Sequence, residues 1–200
     1  YPGVDETPSS TAPMRRNSNQ QISGILQTNA NLATYKTSGI DFQVDYGFDT
    51  RIGVIDLRVA GTYLSEYDYL PFAGGDLVQL AGYFGGDPAF GNPATFAEWQ
   101  VNYGVTLTRD DWGASLIARY MSETDDIDAA PANLSNVADA ITYLDLQGYF
   151  NWNDMTFTLG VRNLTDEDPP YVTAYDDMNT LQFSYDTQGR YIYGRASVSF

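Results

Sequence analysis

Carboxylates are the reactive groups this chain holds in quantity. The densest runs are Asp125-Asp126-Ile127-Asp128 and Asp176-Asp177. Oxygen-rich clusters of this kind suit a hard cation such as Ca²⁺, yet the first run lacks the glycine and the terminal Glu of an EF-hand loop. A glycosidase needs two carboxyl groups about 5–10 Å apart in a cleft. With 26 acidic residues such a pair arises by chance, and none stands out. Histidine and cysteine are both absent. That removes Ser-His-Asp and Cys-His catalysis, thiolate zinc sites, iron–sulfur clusters, His-ligated haem and disulfides. No catalytic residue, no metal site and no cofactor is expected, and the chain does not read as an enzyme.

What remains is binding or structure. Lys and Arg number only 10, and the net charge is −16. Nucleic acid is excluded as a partner, because its recognition needs a basic face over the phosphates. Tyr83, Phe84 and Phe90 lie in a glycine-rich stretch from Gly74-Gly75 to Gly91. Aromatic rings on a long loop can stack on a sugar or a planar chelate, so these three are the ligand-binding candidates. Packing of the loop on itself explains them too. Asn133-Leu134-Ser135 and Asn163-Leu164-Thr165 match glycosylation sequons, a pattern short enough to occur by chance.

The elements that position these groups are strands. Ile40, Phe42, Val44, Tyr46 and Phe48 alternate with Asp41, Gln43, Asp45 and Gly47. Period two over this length is a half-polar strand, not a helix. The pattern recurs from Trp99 to Thr108 and, with more noise, at 55–63, 112–120, 144–152, 156–162 and 191–200. Asp49-Thr50-Arg51, Asp110-Asp111 and Asn153-Asp154 are short turns of turn-forming residues. Between the turns lie long segments at about 70–97, 124–141 and 164–189. These hold 12 acidic residues and no Lys or Arg, so most of the −16 sits at one end of the strands. Solvated loops would account for the acids; an acidic mouth that disfavours anionic ligands is the sharper reading.

No apolar run approaches the roughly 18 residues of a transmembrane helix, but a membrane β-strand needs only about 9–11 residues and alternates in this way. Short turns at one end and long loops at the other are the pattern of a membrane β-barrel. Trp99, Trp112 and Trp152, with Tyr63, Tyr67, Tyr69 and Tyr120, fall near strand ends, where interfacial aromatic girdles sit. Cross-strand packing in a soluble sheet is the alternative. Phe200 closes an alternating strand through Val198, Ala196, Gly194 and Ile192. It resembles the membrane-insertion signature that outer-membrane barrels present to their insertion machinery.

The segment Gly160-Val161-Arg162-Asn163-Leu164-Thr165-Asp166-Glu167-Asp168-Pro169-Pro170-Tyr171 resembles the G-x-x-N-L-F-D-x-x-P-P stretch of TonB-dependent outer-membrane receptors, with Thr165 in place of Phe. Tyr185-Asp186-Thr187-Gln188-Gly189-Arg190 resembles the family's Y-D-x-x-G-R. Asn31 with Tyr35-Lys36-Thr37-Ser38-Gly39-Ile40-Asp41 resembles its strand entry N…K-x-x-G-[IV]-[DE]. These residues also have local roles. Gly39 and Gly160 permit bends or close approach, Asn163 and Asp166 suit a turn through side-chain bonds to backbone N–H groups, and Pro169-Pro170 ends a ladder.

The resemblance implies the C-terminal third of such a receptor, whose whole has a 22-stranded barrel, a plug domain and a periplasmic energy-coupling segment. On that reading the chain is all-β: an antiparallel transmembrane β-barrel segment of about seven or eight meandering strands with short periplasmic turns and long extracellular loops. Residues 1–34 are an extracellular loop segment with a candidate short strand at Ile22–Gln27, and 35–200 are the C-terminal barrel strands. Seven strands put the chain's start on the outer face; if 22–28 spans as well, the count is eight. The chain opens at Tyr1 with no basic or apolar leader, so an excerpt of a longer protein is expected. The implied partners are outer-membrane lipid, the receptor's own plug domain, the TonB system reached through a region outside this chain, and the barrel insertion machinery. The implied location is the bacterial outer membrane. The implied function is import of a scarce nutrient: a ferric siderophore, cobalamin or an oligosaccharide. Two other readings stand beside it: a soluble secreted carbohydrate-binding β-sandwich, and a glycoside hydrolase domain.

Overall fold

The structure, a computed structural model, describes residues 14–17, 19, 21–25, 34–70, 74–86, 93–127, 137–173 and 178–199. The chain divides into two units, 1–32 and 33–200. In the first, β1 (Met14–Arg16) pairs antiparallel with β2 (Ile22–Ile25). Asn17 shapes the connection: its Oδ1 accepts the backbone N–H of Asn19 at 3.0 Å and of Gln21 at 2.9 Å. An Asn side chain that stands in for a backbone carbonyl is a common turn device.

The second unit runs β3 (Thr34–Thr50), β4 (Gly53–Leu70), β5 (Val78–Gln79), β6 (Tyr83–Gly86), β7 (Pro93–Thr95), β8 (Trp99–Arg109), β9 (Trp112–Met121), β10 (Thr124–Asp126), β11 (Val137–Ala138), β12 (Ile141–Trp152), β13 (Met155–Arg162) and β14 (Tyr191–Val198). The main sheet has the order β3-β4-β8-β9-β12-β13-β14, with β5 added beside β4. Each neighbour is antiparallel and follows its predecessor along this path, so the sheet is a meander. It does not close: β3 and β14 are its two edges among the described residues. No described helix is long and apolar enough to cross a membrane, which says nothing about strands.

The seven alternating segments read from the sequence are these seven strands. Their register keeps the two faces apart. Ile40, Tyr63 and Trp99 lie across from one another, as do Val44, Val59 and Tyr103, and Phe48, Ile55 and Leu107. Asp41 and Thr62, Asp45 and Arg58, and Asp145 and Ile117 lie on the opposite face. Because the side-chain period is two, a one-residue slip would exchange the faces, and the pattern therefore fixes register. Short hairpins join β8 to β9 and β12 to β13, and their leading residues Asp110 (φ 42°) and Asn153 (φ 51°) take left-handed backbone, which Asp and Asn tolerate.

Two features depart from the expectation. β3 and β4 reach 17 and 18 residues, well past the ten-residue alternation at Gly39–Phe48. The extension starts at a register shift beside Gly39, where a β-carbon would lie 2.5 Å from the Tyr63 carbonyl oxygen. Beyond it, Tyr35 packs against Tyr69 at 4.8 Å and Lys36 pairs with Glu66 at 2.7 Å. The long segments at 70–97 and 124–141 are also more than loops. They build a second sheet, β11-β10-β6-β7, in which β10 and β6 run parallel. Its strands have two to four residues, too short for alternation to announce them.

The core is not sandwiched between the faces of the main sheet. It lies at the long-loop end of the polar face, where Ile141 and Tyr143 of β12 meet Phe84, Ala138, Val172, Leu181 and Tyr185. The apolar face is left open along its length. Ile40, Val44, Tyr46, Tyr103, Val105, Phe150, Leu159 and Ile192 are all exposed.

Candidate functional site

Arg119 stands on the polar face of β9, the middle strand of the meander, near its long-loop end. It projects from β9 opposite Tyr143 of β12. Its Nε donates to Asp145 Oδ2 at 2.8 Å, and its guanidinium lies 5.0 Å from the Tyr143 ring centre. A further nitrogen donates to Asp186 Oδ2 at 2.6 Å. Asp145 also accepts the backbone N–H of Asn163 at 2.9 Å. One guanidinium and one carboxylate thus join three parts of the chain: the β9–β12 ladder, the end of β13, and the segment leading into β14. Charge-assisted bonds of this geometry are the stronger kind.

The turn after β13 is built by Asn163, which is fully buried and left-handed (φ 51°). Its Oδ1 accepts Glu167 N–H at 2.8 Å, and its Nδ2 donates to the Glu167 carbonyl at 2.9 Å. Asp166 reaches further, accepting Arg190 N–H at 2.8 Å beside a 3.6 Å ion pair with the same residue. So the motif residues Asn163, Asp166, Asp186 and Arg190 tie the 163–190 segment back onto the sheet. Tyr185 lies in that segment, and burial pushes its phenol above the ordinary value while the neighbouring Thr124 hydroxyl opposes the shift. Ser184 Oγ meets Thr95 Oγ1 at 2.7 Å, which joins the segment to β7.

Three cavities lie beside this arrangement or on the second sheet near it. One of about 340 Å³ is lined by Arg162, Asp186, Gln188 and Tyr191. One of about 170 Å³ lies beside Asn102, Arg119 and Tyr143. The third, about 220 Å³, is walled by Tyr83, Glu98, Glu123 and Asp125. Of the aromatic candidates, Tyr83 is 37% exposed and borders the third cavity, whereas Phe84 is 1% exposed inside the core. Phe90 and Phe200 lie outside the described residues, as do Asp128 and Asp176-Asp177. Asp125 and Asp126 take opposite sides of β10, the first exposed and the second buried. No cluster of three or more metal-ligating side chains occurs among the described residues.

Among the described residues, no nucleophile, base and acid are aimed at a common point. What it does have is a meander with one open apolar face and one polar face roofed by its long segments. Residues 5–164 match the family described as TonB dependent receptor-like, beta-barrel. The chain belongs to that family. Neither the curated proteins nor the solved structures contain a match to it.

Barrels of TonB-dependent receptors stand in the outer membrane and serve transport rather than catalysis. The open apolar face is then the lipid-facing wall, and the polar face with Arg119 and Asp145 is the lumen wall. The family match ends at Leu164, within the first of the motifs and just after the turn residue Asn163. The Arg119 link was not visible in the sequence, because its partners Asp145 and Asp186 are 26 and 67 positions away. The one available signal was Asp186 within the Y-D-x-x-G-R segment.

Proposed function

We propose that the chain is the C-terminal barrel part of a TonB-dependent receptor that imports a scarce nutrient, its short turns periplasmic and its long segments extracellular. The observation that supports this most directly is the open apolar face across seven strands. A patch of that extent exceeds what soluble monomers expose, and a soluble sandwich would bury it. Ferric siderophores, cobalamin and oligosaccharides are the cargo classes. The barrel does no bond chemistry: its long segments capture cargo and its lumen wall flanks the passage beside the plug domain. The proton gradient acts through TonB on regions outside this chain, and Phe200 serves the insertion machinery.

The mouth carries much of the chain's negative charge, so a neutral or cationic cargo is favoured over a polyanionic chelate. Tyr83, beside Glu98, Glu123 and Asp125, offers a ring for stacking, with Phe84 anchoring the strand beneath it and Phe90 on the same stretch. Refolding tests the barrel reading: a monodisperse monomer in plain buffer, without detergent or lipid, overturns it. Binding to the full receptor across salt concentrations tests the charge reading, and tighter binding of an anionic chelate at low salt counts against it.

A further inference from the structure

The apolar face is not uniform. At the short-turn end the register forms a row of Arg109, Trp112, Phe150, Phe157 and Ala196 across the strands. The next row is Leu107, Ala114, Gly148, Leu159 and Gly194, and the one beyond it is Val105, Leu116, Leu146, Val161 and Ile192. Ala114 and Gly148 are thus small neighbours between two bulky rows. The result is a trough of about 520 Å³ floored at Ala114 and Gly148 and walled by Trp112, Phe150, Phe157 and Leu146. This volume is in the range of small-molecule sites.

The row at the trough's edge also carries charge. Arg109 lies on the apolar side, directly across from Trp112, which is where a base meets headgroups while its stem stays in hydrocarbon. Its only ion pair among the described residues is a loose one, 3.6 Å to Asp110, whose side chain is 84% exposed. Asp111 follows at once and is exposed. A cation followed by two carboxylates complements a headgroup that carries phosphate and a primary ammonium together.

We propose that this trough binds a zwitterionic glycerophospholipid: one acyl chain lies over Ala114 and Gly148, the phosphate meets Arg109, and the primary amine meets Asp110 and Asp111. The proposal rests on the membrane orientation given above, with the short turns at the periplasmic leaflet. A bulkier side chain at Gly148 fills the trough without disturbing the strand, since the nearest heavy atom to an added β-carbon is the Gly113 carbonyl oxygen at 3.6 Å.

Native mass spectrometry of the full-length protein in detergent tests it, with phosphatidylethanolamine, phosphatidylglycerol and phosphatidylcholine as probes. Phosphatidylethanolamine is expected to be retained about threefold over either competitor, the size exposed charge pairs allow. Gly148→Leu should weaken retention of all three by about tenfold, and the double variant Asp110→Asn, Asp111→Asn should remove the preference for the primary amine and spare the rest. Equal or better retention of phosphatidylglycerol, parental retention in Gly148→Leu, or a second protein copy in place of lipid each overturns the proposal. Heat-modifiable gel mobility of the parent and both variants is the control. If all three keep it and retention does not change, the lipid site alone fails; if the parent lacks it and stays in solution without detergent, the barrel reading fails first.

Discussion

Arg119 holds Asp186 at 2.6 Å across 67 positions of sequence. The same guanidinium binds Asp145, so the strand ladder and the segment before β14 share one cation. Asp186→Ala should release that segment and cost about 1–3 kcal/mol, the usual range for a lost charge-assisted bond that strands its partner. Denaturant unfolding in detergent checks the magnitude. Hydrogen exchange checks the place: protection should fall over 180–190 and hold along β9 and β12. Asp145→Ala should cost more, because it also strands the Asn163 N–H.

The parts of this fold that the sequence announced and the parts it hid differ in range. Each of the seven strands declares itself within about ten residues, since alternation is local and the two faces meet different solvents. Asn163 was legible for the same reason: its partner Glu167 is 4 positions away. The second sheet was not legible. Asp125 pairs with Tyr83, and Phe84 with Thr95, over stretches too short for any period to show. Arg119 was hidden because only the completed ladder sets Asp145 beside it, and only the folded-back segment delivers Asp186. Tyr83 and Phe84 are adjacent in sequence and alternate in space, so the strand buries one ring and exposes the other.

Two tyrosines cover glycines on the lumen side. A β-carbon at Gly113 would meet the Tyr149 ring at 2.5 Å, and one at Gly160 would land on the Tyr193 ring. Tyr193 is held there by its hydroxyl, which donates to Gln147 Oε1 at 2.8 Å. Gly160→Val should therefore displace the ring and cost about 1–3 kcal/mol as overpacking. Adding Tyr193→Ala should recover part of the loss, and a double-mutant cycle on denaturation midpoints measures it. Additive losses would show that the ring and the glycine act independently.

Acid should loosen the extended tips of β3 and β4. The Lys36 hydrogen bond, with help from Ser38 and the lysine charge, holds the Glu66 carboxyl below the ordinary carboxylate range. A depressed carboxylate value adds stability that is present above the unfolded value and is lost as pH falls through the folded one. Both groups are well exposed, so the effect is small. A carboxyl NMR titration should give Glu66 a lower midpoint than the parent shows after Lys36→Met.

Alkali should act at a different place. Burial raises the Tyr185 phenol, so its contribution is complete below the ordinary phenol value and is lost as pH rises through the folded value. Tyr185→Phe should flatten the alkaline limb of the unfolding profile without altering the acid limb. An unchanged alkaline limb would show that Tyr185 does not govern it.

The two edge strands of the main sheet differ in length by about a factor of two. β3 has 17 residues and β14 has 8. At about 3.3 Å per residue and a tilt near 40°, they stand roughly 43 Å and 20 Å tall. From a common level at the short turns, one side is a palisade that rises well clear of the hydrocarbon and the other is a low sill. The 163–190 segment is rooted at the sill, and the Arg119 link draws it inward. With the long segments outward, as proposed above, the rim is lopsided: one flank ends high in paired strand, and the other ends low with a segment tied across it by Arg119.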